Sequence, residues 1–159
     1  ICWFDLYMLH FTYLCRVMAR ILSIDFGRKR TGIAVTDTLK IIAGGLATVP
    51  TGELLSFLMH YFEQEDVELV VIGLPRQMNN VPSENMRYIE PFVVQFKKQF
   101  PKMPIVYFDE RFTSSLAHRV MLDGGLKKKD RQNKALVDEI SATIILQDYL
   151  ESKQYKERL

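Results

Sequence analysis

The chain has 159 residues, 48% of them apolar and 25% charged, and a net charge of +2. That is enough for one domain with a well-buried core and too little for two ordinary ones, and so mild a charge excludes a nucleic-acid binder recognisable from bulk composition. Both cysteines, Cys2 and Cys15, precede Arg16, and His10, His60 and His118 are scattered, so the body offers no disulfide framework and no zinc-like ligand spacing.

Residues 1–17, ICWFDLYMLHFTYLCRV, are aromatic and apolar, but Asp5, His10 and Arg16 interrupt them. The apolar stretch falls short of the ~20 residues of a membrane span and lacks the basic start and small-residue cleavage site of a secretory signal. These residues are expected to be a non-native or disordered extension ahead of Met18, with a peripheral anchor as the alternative. The body, residues 18–152, is expected to form one domain without membrane association, followed by a polar tail over 153–159.

Three strand-like runs open the body: RILSID (20–25), TGIAVTD (31–37) and IIAGGLATV (41–49). The turns between them are short, which predicts an antiparallel meander. Leu54, Leu55, Leu58 and Phe62 then recur at helical spacing, and VELVVIGLP follows as a β-branched strand stopped by Gly73 and Pro75. A second helix is predicted from Ser83 as N-cap, with Met86, Ile89, Val93, Phe96 and Phe100 on one face and a kink at Pro91. MPIVYFDE (103–110) reads as the last strand, Thr113 caps a helix through Leu122, and a final helix covers roughly Ala135 to Glu151. This order predicts an α/β fold with a mixed sheet, because strands separated by helical crossovers run parallel.

Against this frame, three acidic residues stand where they are costly or exposed to ligands. Asp25 closes the first strand, where a parallel sheet opens its carboxyl end. As an isolated Asp-x-Gly it could simply start a turn. Gly27, however, permits close backbone approach, and Arg28, Lys29 and Arg30 set positive charge beside the carboxylate, as a phosphate next to a metal would require. Glu110 ends the last strand. Asp109 and Glu110 face opposite sides of that strand, so one of them can join Asp25, and Glu110 is favoured. Asp138 falls on one helical stripe with Ala142, Ile145 and Tyr149. Either it is paired within the fold, since a buried lone charge is expensive, or it is a partly solvated first-turn acid favoured by the helix dipole.

If these carboxylates converge, each raises the pKa of the others unless a cation lies between them. An oxygen-only site suits Mg²⁺ or Mn²⁺, and such ions serve phosphodiester hydrolysis. Arg111 could pair with either acid of its strand or touch substrate. Lys127, Lys128, Lys129 and Arg131 lie in LKKKDRQNK, just before the helix bearing Asp138, and would meet a phosphate backbone there. The bland alternative is a solvated loop.

SIDFGRKRTGIAVTD, VVIGLP, YFDERFTS and ALVDEISATIILQDYL, in this order and spacing, resemble the YqgF family of RuvC-like nucleases over about residues 20–152. The loop after GLP carries Asn79 and Asn80 where that family has glycine. The resemblance implies an RNase H-like five-stranded sheet of order 3-2-1-4-5 flanked by helices. It also implies a cytoplasmic nuclease maturing the 5′ end of pre-16S ribosomal RNA, or a Holliday-junction resolvase on branched DNA. Asp25, Glu110 and Asp138 fall on its acidic motif positions. A symmetric cut of a junction would favour a homodimer. The competing expectation is a ribosome-assembly or RNA-binding module without catalytic power.

Overall fold

A computed structural model describes residues 18–74, 86–109 and 133–157. The proposed Ser83 cap, the helix from Thr113 to Leu122 and the extension over 1–17 lie outside the described residues. Among the described residues the strands are β1 (Arg20–Phe26), β2 (Arg30–Thr36), β3 (Ala43–Pro50), β4 (Val67–Leu74) and β5 (Ile105–Asp109). The helices are α1 (Leu54–Gln64), α2 (Met86–Gln99), α3 (Lys134–Glu151) and the short α4 (Lys153–Lys156), with a 3₁₀ turn at Thr51–Glu53.

The sheet order is β3-β2-β1-β4-β5, as the resemblance implied. The meander β1-β2-β3 is antiparallel, and β4 and β5 run parallel to β1, in keeping with their helical connections. β1 lies at the centre and is buried on both faces. Leu22, Ile24 and Phe26 pack toward α1 and α2 with Val70, Ile72, Leu58, Ile89 and Phe96. Ile21 points the other way, into a second core of Leu69, Val71, Ala142, Ile145, Leu146 and Tyr149, supplied by α3. Burial on both sides explains why the central strands read as nearly unbroken apolar runs.

The stripe expected on α2 is present: Ile89, Val93 and Phe96 are buried on it. Phe96 and Phe100 each meet Phe62 of α1 edge to face, with centroids 6.2 and 5.0 Å away. Phe96 is fully buried, which contributes about 1.5–3 kcal/mol, and the half-buried Phe62 and Phe100 extend the contact between the two helices. α2 continues through Pro91, whose missing N–H removes one bond near the helix start.

β3 begins two residues later than its sequence suggests. Asp37 Oδ1 accepts from the amides of Ile41 and Ile42, both at 2.8 Å, and Oδ2 accepts from Leu39 N at 3.1 Å. That carboxylate folds the segment into a turn, with Lys40 at φ 59°, and leaves both isoleucines exposed. A side chain accepting from nearby amides thus outcompetes the strand propensity of two β-branched residues. The segment expected to be a polar tail includes α4, whose Tyr155 ring rests 5.7 Å from that of Tyr149.

Candidate active site

Alternation along β1 that sends Ile21 toward α3 sends Ser23 and Asp25 there too. Ser23 is fully buried, and its Oγ donates to the Ala142 carbonyl at 2.7 Å. This bond pins the strand to the helix. Two residues farther along a strand span about 6.6 Å, and four residues back along a helix span about 6 Å. Asp25 therefore comes level with Asp138 just as Ser23 is level with Ala142. Burial first, and then the negative charge of Asp138, push the Asp25 carboxyl up to about 6.

Close approach of α3 depends on Gly32, the β2 partner of Asp25. A Cβ at Gly32 would run into the carbonyl carbon and oxygen of Asp138 and come within 3.1 Å of Glu139 N. Because the obstacle is backbone, no rotamer can relieve it. Gly32→Ala is expected to lower stability by about 1–3 kcal/mol through overpacking. A urea midpoint that falls with an unchanged denaturant slope would register this, whereas an unchanged midpoint would show that α3 can move away at little cost.

Asp138 is the fifth residue of α3, and the first turn contains no acid. The first-turn dipole explanation therefore does not apply. Asn133 is the N-cap, with its side chain accepting from Ala135 N at 3.1 Å. Ala142, Ile145 and Tyr149 are fully buried, so Asp138 does open an apolar stripe. Its carboxylate has a partner in Arg30, whose Nε donates to Oδ2 at 3.0 Å.

The basic run after Asp25 is thus divided among separate neighbours. Arg28 sets its guanidinium 4.9 Å over the ring of Tyr88, at the start of α2. Lys29 is exposed, and its carbonyl accepts from Thr51 N at 3.1 Å. Thr51 Oγ1 donates to the Gly27 carbonyl at 2.7 Å and lies 2.9 Å from the Thr31 hydroxyl. These threonines lock the β1–β2 turn to the 3₁₀ turn. Nothing in the sequence pattern marked them, because their pairing joins β2 to a turn twenty positions farther along the chain. The close backbone approach expected at Gly27 is present: its missing Cβ admits the Arg30 carbonyl of the same turn.

Glu110, Arg111, Lys127, Lys128, Lys129 and Arg131 lie outside the described residues. Among the described residues no three His, Cys, Asp or Glu side chains form a metal-holding group. The described part of the site is the facing pair Asp25 and Asp138. Its chemistry suits a hard divalent cation: the donors are all carboxylate oxygen, and burial together with the neighbouring acid raises the Asp25 pKa. A cavity of about 480 Å³ lined by Val67, Phe100, Met103 and Pro104 lies at the amino ends of β4 and β5, at the opposite end of the sheet from Asp25.

Gly73 completes the geometry on this face. It is level with Phe108 of β5, and Ile72 is level with Ile24 of β1, so Gly73 separates Asp25 from Phe108 without a side chain of its own. Val106 and Phe108 pack on the α3 side, whereas Ile105 packs on the other.

Proteins of known kind resemble this chain over nearly its whole body. A Bacteroides fragilis protein named "Putative pre-16S rRNA nuclease" is 70% identical over 137 residues, which cover 86% of this chain and 99% of that protein. A protein of the same name from Flavobacterium johnsoniae is 60% identical over 138 residues, covering 87% of this chain and all of the other. The fold matches that of Thermus thermophilus RuvC in complex with a Holliday junction substrate, with a TM-score of 0.53 at 16% identity, over 86% of this chain and 96% of that one. Residues 19–152 match the family model described as RuvX, Holliday junction resolvase, and the chain belongs to that family.

Proposed function

We infer that the chain hydrolyses phosphodiester bonds as a metal-dependent endonuclease, acting on the precursor of 16S ribosomal RNA. The observation that carries this is the facing of Asp25 and Asp138 across the β1–α3 contact, with Asp25 held near pKa 6. Relatives at 60–70% identity bear the pre-16S rRNA nuclease name, which favours RNA over a DNA junction as the substrate. A cytoplasmic setting accords with that substrate. No described helix is long and apolar enough to cross a membrane.

In this reading Asp25 and Asp138 hold one or two Mg²⁺ or Mn²⁺ ions, with Glu110 as the third ligand. Glu110 follows Val106 and Phe108 by even steps, and continued alternation would assign it to the α3 face. Gly73 leaves room for a glutamate to reach across β4. The bound ion would supply charge neutralisation at the phosphate and acidify the attacking water. The protein's own part is to fix the separation of the carboxylates through the Ser23–Ala142 bond and the Gly32 contact, and to bind the flanking phosphates. Arg28, Lys29 and Arg30 stand at this end of the sheet, and Arg111, Lys127, Lys128, Lys129 and Arg131 are assigned the same task.

Incubating the purified protein with a 5′-extended 16S rRNA precursor and with a four-way DNA junction, each with and without Mn²⁺, tests the reading. The expected result is Mn²⁺-dependent cutting of the RNA. Cutting of the junction alone, by a two-fold dimer, would transfer the assignment to DNA. Binding without cleavage under any divalent ion would leave a ribosome-assembly module.

A further inference from the structure

We propose that Arg30 is an internal counter-cation of the active site, which holds Asp138 until a divalent ion takes its place and then passes to a phosphate of the substrate. The inference rests on the metal-dependent nuclease reading and adds to it a mechanical link between ion binding and nucleic-acid binding.

Three observations single out Arg30 from its basic neighbours. First, it meets an acid of the site directly: its Nε lies 3.0 Å from Asp138 Oδ2. Second, its backbone is firmly placed, since Arg30 is the first residue of β2, paired with Pro50, and the adjacent Thr31 hydroxyl meets that of Thr51. Only the side chain need move. Third, the pair is open to solvent, with 41% of the Arg30 side chain and 27% of the Asp138 side chain exposed.

Exposure decides the energetics. A partly solvated ion pair is weak and exchanges readily, so an ion that also gains the Asp25 carboxylate displaces the guanidinium. Arginine cannot shed its charge by deprotonation, and its planar fork matches phosphate as well as carboxylate. Once displaced, Arg30 finds its next anion in the phosphodiester beside the ion. Coupling of this kind is reciprocal: the ion strengthens substrate binding, and substrate strengthens ion binding by the same factor.

The test uses the full chain and its Arg30→Gln and Arg30→Lys variants, with folding checked by thermal unfolding. Mn²⁺ titrated alone reads ion affinity. Binding of a 5′-precursor 16S rRNA fragment over a salt series, in EDTA and again in Ca²⁺, reads the phosphate contact. Arg30→Gln should bind Mn²⁺ about two- to fivefold more tightly, the scale of an exposed ion pair removed. In Ca²⁺ it should lose about one unit of salt slope relative to the parent, and in EDTA none. Arg30→Lys should recover part of that slope. Unchanged or weaker Mn²⁺ binding by Arg30→Gln would overturn the proposal, as would an equal loss of slope in both media. Failure of the parent to bind Mn²⁺ would overturn the metal-dependent reading beneath it.

Discussion

Asp25→Asn is expected to make the ion-free protein more stable at pH 8 while cutting nuclease activity by at least about a hundredfold, the upper range for disturbing even the outer shell of a metal site. The sign follows from the raised carboxyl. With a folded value of about 6 against an ordinary 3.8, the folded chain holds a proton that the unfolded chain has released between those pH values. The associated stability is fully present below 3.8 and is lost as pH rises through about 6. Above that, the parent carries an unfavourable charge on the order of 3 kcal/mol. Asparagine resembles the protonated acid, so the variant escapes this cost. Urea unfolding in EDTA should give coincident midpoints near pH 3.5 and a clear advantage to the variant at pH 8. Saturating Mn²⁺ should reverse the order, because it stabilises only the form that binds it. A variant no more stable than the parent at pH 8 would mean that Asp25 is better solvated or better partnered than its surroundings indicate.

Asp138→Asn should abolish cleavage to a similar extent, by a different route. It removes one proposed ligand and the negative charge facing Asp25. Burial remains, so the Asp25 carboxyl should fall only part of the way toward its ordinary value. Carbon-13 NMR titration of the Asp25 carboxyl reads this shift directly. Retained cleavage would remove Asp138 from the active site. An unmoved Asp25 titration would show that the two carboxylates are not electrostatically in contact.

These outcomes converge because both acids are placed by packing on a single face. Asp25 shares its side of β1 with Ser23, and Asp138 shares its side of α3 with Ala142. The hydrogen bond between Ser23 and Ala142 makes the alignment of the acids a consequence of core packing. Disturbing the core contact, as Gly32→Ala does, should therefore damage activity along with stability.

Much of this is legible in the sequence, for definite reasons. The short turns of the first three strands and the long helical crossovers of the others dictate antiparallel and then parallel pairing, since connection length limits strand direction. The apolar stripe of α3 marked Asp138 as either paired or partly solvated without deciding between them, because helical periodicity reports which residues share a face and not what lies opposite. Sequence local to Asp25 could reveal an acid at a strand end followed by positive charge, but not where that charge goes. Strand β3 was misplaced by two residues because propensity does not register a carboxylate that gathers the amides of Leu39, Ile41 and Ile42.

What the sequence by itself determined is the class of fold, the faces of its elements and the acids worth watching, because periodicity and turn chemistry act over a few residues. Only the tertiary structure decided that Arg30 answers Asp138 across 108 positions, that Gly32 admits the helix, and that Thr51 ties down the basic turn. Those contacts arise from strand register and helix docking, which depend on how whole faces pack together and leave no mark within a short window of sequence.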